Sequence, residues 1–85
     1  MTDIHILSGA RTAIGSFGGS LEGTPPIDLA SHAARAALTR AGMDPAQVGT
    51  TVFGHVINTE PRDMYLSRVA AMQAGVPEQV PAMNV

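Results

Sequence analysis

The sequence predicts an α/β fold, a β-α-β-α-β segment built on parallel strands, and three observations carry that reading. Apolar runs bounded by glycine or proline recur at residues 4–8, 50–57 and 80–85. Between them lie residues 27–41 and 63–74, where apolar side chains recur at three- and four-residue spacing, the period of a helix with one buried face. Each crossover has the length that parallel pairing needs, and right-handed connections place the strands in the order 3-2-1.

Taken in order, Ile4, Ile6 and Leu7 surround His5 and the run stops at Gly9, the pattern of a short strand buried on both faces. A glycine-rich arm follows from residue 8 to residue 21. Gly15, Gly18 and Gly19 stand close together there, so the backbone needs positive φ or a close neighbour. Thr24-Pro25-Pro26-Ile27-Asp28 marks a helix start, with a capping hydroxyl, prolines tolerated in the first turn and an acid suited to the helix dipole. Ile27, Ala30, Ala33, Ala34, Ala37, Leu38 and Ala41 then line a wide, alanine-rich face that admits a close neighbour. Gly42 ends the helix, with Arg40 in its last turn.

Asp44-Pro45-Ala46-Gln47 predicts a single helical turn begun by an acid at the N-cap and a proline behind it. Residues 50–57 are rich in β-branched side chains, and Gly54 among them implies a bulge or a close backbone neighbour. Leu66, Val69, Ala70 and Gln73 share one face of the second helix, which Gly75 and Pro77 stop. Pro81 restricts the last run to a strand start or a sheet edge.

Hydrophobic residues make up 45% of the 85 and charged residues only 14%, so much apolar surface has little charge to cover it. That balance suits an element buried between others. A chain of this length buries only about 60–65% of its unfolded surface, which leaves it marginal alone. With an apolar run at residues 80–85 and no helix behind it, residues 1–85 are expected to be the N-terminal part of something larger. The formal charge of −2 gives no basic footprint for nucleic acid or an anionic membrane, and neither is an expected partner. Nothing resembles a secretory leader or a membrane span, and a cytoplasmic location is expected. The absence of cysteine excludes disulfides, thiolate metal sites and a cysteine nucleophile within these residues.

Candidate chemistry is sparse. The arm is conceivable as a phosphate cradle, but it lacks Gly-Lys-Ser/Thr, does not match Gly-x-Gly-x-x-Gly and stands several residues ahead of the helix. A structural loop is the better reading. His5 and His55 fall on strands expected to be neighbours, yet no third ligand accompanies them, so hydrogen-bonded strand histidines are preferred to a metal pair. Ser8, Ser16, Ser20, Ser31 and Ser67 stand in no Gly-x-Ser-x-Gly, which sets serine hydrolysis aside. Arg68 is either solvated or paired at an interface, and Met64, Tyr65 and Met72 read as core or contact residues.

Taken together, residues 11–21, 41–48, 53–56, 74–77 and 80–85 resemble the N-terminal region of the thiolases, over essentially the whole chain. These are the acetyl-CoA acetyltransferases and 3-ketoacyl-CoA thiolases. Thr59-Glu60-Pro61-Arg62-Asp63-Met64-Tyr65-Leu66 resembles a subgroup of bacterial β-ketothiolases, including those that supply polyhydroxyalkanoate synthesis. The resemblance implies that residues 1–85 belong to the N-terminal domain of a layered αβαβα body, a homodimer or homotetramer in fatty acid metabolism. Its substrates would be coenzyme A thioesters, with no further cofactor.

It also implies that no catalytic residue lies in this chain. The nucleophilic cysteine is expected just past Val85, at the start of a buried helix whose dipole lowers a thiol pKa, with a histidine and a second cysteine from the C-terminal half. Met64, Tyr65, Arg68, Met83, Asn84 and Val85 are the candidates for subunit contact, the last strand pairing with its mate across a twofold. Two departures stand out. The family more often has Gly-Asn-Val where this chain has Gly54-His55-Val56, and often Asn-Pro-Ala near Met64, Tyr65 and Leu66. A non-catalytic lipid- or CoA-binding module is the rival reading, and an independent nucleotide-binding domain a third. Residues 1–85 alone are expected to be inactive.

Overall fold

A computed structural model describes residues 3–85. In chain order it forms helix α1 (Pro26–Ala41), a 3-10 turn (Pro45–Gln47), strand β1 (Thr51–Phe53), a second 3-10 turn (Pro61–Tyr65), helix α2 (Leu66–Gln73) and strand β2 (Ala82–Asn84). The strands pair in parallel, with Thr51 opposite Ala82, Val52 opposite Met83 and Phe53 opposite Asn84. Bonds from Thr51 N to Pro81 O at 2.9 Å and from His55 N to Val85 O at 2.7 Å extend the ladder beyond both ends. The second and third expected strands therefore meet as expected, in shorter form.

The first expected strand is a correction. Residues 4–8 have no regular structure, the sheet has two strands in the order β1-β2, and the 3-2-1 order is not formed. A strand exists only through a partner's N–H and C=O groups. Ser8 Oγ instead donates to Ala37 O at 2.6 Å, and Gly9 O accepts from Arg40 at 3.0 Å, so the chain here is tied to α1 and not to the edge of β1. Ile4 and Ile6 remain 94% and 95% exposed.

The helices follow their local signals closely. α1 ends at Gly42 with φ 65°, whose N–H bonds Leu38 O and Thr39 O. It starts without the hydroxyl cap expected of Thr24: Pro25 occupies the cap, and Pro26 has no N–H to satisfy. The short turn at Pro45 carries a full capping box, with Asp44 accepting from Ala46 N and Gln47 returning to Asp44 N. α2 begins later than expected, behind its 3-10 turn, and buries Leu66, Ser67, Ala70 and Ala71. The expected face with Gln73 is rotated, because small side chains at Ser67 and Ala71 let α2 lie close on the strands, and Gln73 is exposed.

α2 lies against both strands and α1 packs beside α2. Ala71, Val76 and Val80 form the core, with Val48 packed onto it. The opposite face of the sheet is open: Val52 and Met83, paired in register, are 54% and 55% exposed. Gly54 has no close backbone neighbour of the kind expected of it, since an added Cβ would stand 4.0 Å from Val85 O, an ordinary van der Waals contact. No helix among the described residues is long and apolar enough to cross a membrane.

Candidate functional site

The C-terminal ends of parallel strands are where α/β folds build sites, and a polar cluster stands there. β2 delivers Asn84, whose Oδ1 accepts from Ser67 N at 2.8 Å and whose Nδ2 donates to Met64 O at 3.0 Å. α2 has no side-chain cap of its own. Asn84 therefore supplies from the neighbouring strand the acceptor that an N-cap normally supplies from within the helix. Ser67 completes the link through a hydroxyl contact of 3.1 Å with Thr51 on β1.

Asp63, wholly without exposed surface, anchors the loop that leaves β1. Thr59 N reaches both its oxygens, at 3.0 and 2.9 Å, and Thr59 Oγ1 donates to Oδ2. Burial alone would raise this carboxyl, but the Thr59 hydroxyl, the N–H groups of Thr59 and Glu60 and the charge of His55 outweigh it and hold the pKa below its ordinary value. Such a carboxylate stays ionised and is held in place by its donors, the state of a structural anchor and not of a general base.

The other candidates stay apart. His5 lies on the run that forms no strand, so it does not pair with His55, and no group of three metal-ligating side chains occurs among the described residues. The arm turns its amides onto its own carbonyls: Gly19 N to Ser16 O at 2.9 Å, Glu22 N to Gly19 O and Thr24 N to Leu21 O at 3.1 Å. Those amides are not available to cradle a phosphate. The glycine at position 19 is needed for this, because a Cβ would stand 2.9 Å from Ser16 O.

Of the six contact candidates, Met64, Tyr65, Met83 and Val85 present exposed side chains. Arg68 turns inward, donating to Glu78 O at 2.7 Å and Val80 O at 2.9 Å, and so fixes the segment that enters β2. Sequence reasoning missed the Thr59–Asp63 anchor. Its signal was local: a hydroxyl four residues ahead of an acid, in the loop behind a strand.

A short parallel sheet, covered by helices on one face and apolar and open on the other, defines a segment of a layered α/β protein. Residues 4–85 match the family model described as thiolase, N-terminal domain, and the chain belongs to that family. It is 52% identical over 83 residues to the beta-ketothiolase BktB of Cupriavidus necator, covering 98% of this chain and 21% of that relative. An acetyl-CoA acetyltransferase of the same organism is 46% identical over 85 residues, again with 21% of its length covered. Among solved structures, human mitochondrial 3-ketoacyl-CoA thiolase in complex with CoA superposes with a TM-score of 0.90 at 30% identity, over 93% of this chain and 20% of that one. The chain thus spans about a fifth of the length of these relatives.

Proposed function

We propose that residues 1–85 are the N-terminal scaffold of a thiolase whose whole chain transfers acyl groups reversibly between coenzyme A thioesters, by condensing acetyl-CoA or cleaving a 3-ketoacyl-CoA. The observation that carries this is the family match, which runs through residues 4–85 and includes 52% identity to a β-ketothiolase. A bound CoA in a structural neighbour supports the substrate class. These residues hold no cysteine, so their contribution to this reading is to position a nucleophile supplied by the chain beyond them. A cysteine just past β2 would start its helix at the C-terminal end of the sheet, where a helix dipole favours the thiolate.

The finer architecture belongs to the same reading. In a 3-2-1 sheet, residues 4–8 would have to leave α1 and lie along the free edge of β1. A cavity of about 240 Å³ walled by Ala34, Ala37, Leu38, Val48, Val52 and Phe53 has the apolar lining that Ile4 and Ile6 would fill. The open sheet face would take a further layer, and the exposed Met64, Tyr65, Met83 and Val85 would meet a second subunit in a homodimer or homotetramer. A role in fatty acid metabolism or polyhydroxyalkanoate supply is part of the same proposal, and the likeness to a β-ketothiolase is what supports it. The test is CoA-dependent cleavage of acetoacetyl-CoA, with full-length protein beside residues 1–85. Turnover by the full chain and none by the segment is expected. An inactive, folded full chain that still binds acyl-CoA would replace this reading with a non-catalytic binding module.

A further inference from the structure

His55 stands in an unfinished arrangement. Its side chain is only 11% exposed, and its Nε2 is buried without a hydrogen-bond partner. Asp63 Oδ1 lies 3.6 Å from that nitrogen. Oδ1 accepts one bond, from Thr59 N at 3.0 Å, whereas Oδ2 also takes the Thr59 hydroxyl. A carboxylate oxygen has two lone-pair sites, so Oδ1 retains room for one more donor.

Among the described residues, the other charged groups of the neighbouring elements are engaged elsewhere. Glu60, in the same loop, has a buried Oε1 that bonds nothing, 3.6 Å from Arg62 Nε. β2 contributes the carbonyl of Val85, which the His55 backbone N–H already occupies at 2.7 Å. The only charged side chain of α2, Arg68, is engaged with the carbonyls of Glu78 and Val80. The charged group shown against His55 is thus Asp63.

A neutral imidazole carries one N–H, at either nitrogen, whereas the protonated ring carries N–H at both positions and a charge that strengthens any bond it donates to a carboxylate. We propose that protonation of His55 latches the loop between β1 and α2, its charged Nε2–H donating to Asp63 Oδ1, and that the neutral ring holds it less tightly. The far end of this loop needs no proton, since Asn84 holds Met64 O at 3.0 Å. Beyond the His55 N–H bond to Val85 O, the near end is held through Asp63. Val56 and Ile57, 95% and 74% exposed, add little packing between them, so this is the part free to loosen. The latch is independent of acyl transfer, and its readout is local.

The test is amide hydrogen exchange on the full-length protein at several pH values, corrected for intrinsic exchange, with imidazole NMR of His55 alongside. Protection of residues 56–63 is expected to fall roughly tenfold as the ring loses its proton, the effect of one charge-assisted bond. The β1–β2 amides of His55 and Val85 serve as the unchanged reference. His55→Asn, which removes the titrating ring and keeps a polar side chain, is expected to give pH-independent protection. The same pH dependence in His55→Asn, or flat protection in the unsubstituted protein, overturns the latch. So does an exchange midpoint that differs from the His55 imidazole midpoint, a comparison that needs no variant.

Discussion

Asn84 fastens two elements with one amide, because its oxygen takes the Ser67 N–H at the start of α2 while its nitrogen holds Met64 O just ahead of it. Ser67 is 1% exposed, so Asn84→Ala leaves a buried donor without a partner. The expected loss is about 1–3 kcal/mol, read from urea unfolding of the full-length protein. Asn84→Asp keeps an acceptor at the helix start and is expected to lose less, since the dipole favours an anion there. For Asp63 the sign follows from its lowered folded pKa. Its stabilisation is complete above the unfolded value of 3.8 and is lost as pH falls through the lower folded value. Asp63→Asn is expected to flatten that acid limb in unfolding measurements below pH 3.8, and an unchanged limb would remove Asp63 from the account. The sequence drew attention to Asn84 but not to its partners, which lie 17 and 20 residues away where no periodicity reaches. In the sequence Asp63 stands at the start of the helix expected over residues 63–74. Its real partner was within four residues, but a side chain that closes a loop looks the same in sequence as one that caps a helix.

The elements whose signals are local formed where the sequence placed them. Gly42 stops α1, and Asp44 with Pro45 makes the 3-10 turn, because caps and breakers act within a few residues. Strand pairing has no such local determinant. Residues 4–8 have a buried strand's composition, yet the edge of β1 remains untaken, while residues 80–85 with similar composition pair in register. Two glycines permit a comparison at this scale. Gly42 has φ 65° and open space around an added Cβ, whereas Gly75 has φ 97° and a Cβ there would stand 3.3 and 3.4 Å from Pro45 ring carbons. Gly42→Ala carries the left-handed cost alone, about 1–2 kcal/mol. Gly75→Ala adds crowding against a rigid ring and is expected to cost more, roughly 2–3 kcal/mol. Chemical denaturation of the two variants side by side decides it, and equal losses would mean that Pro45 yields freely.

At the scale of the molecule, the radius of gyration is 13.6 Å, against about 12 Å for a compact domain of this length, and the extents are 46 × 24 × 23 Å. The accessible surface of 6132 Å² exceeds the roughly 4,800 Å² of a folded monomer of this mass. The excess is comparable with a whole protein interface of about 1,200–2,000 Å². Ile4, Ile6, Ile14, Phe17, Val52 and Met83 are among the apolar side chains left on it. The low charge and high apolar content of the sequence already pointed to such uncovered surface, although composition does not say where on the fold it lies. Residues 1–85 in isolation are therefore expected to show a broad, non-cooperative thermal transition and to bind a hydrophobic dye, whereas the same residues within the full chain unfold with the rest. The discriminating measurement is the ratio of calorimetric to van't Hoff enthalpy for the isolated segment. A ratio near unity, with no dye binding, would show that α1, α2 and the two strands close a sufficient core unaided and that the exposed apolar surface needs no cover.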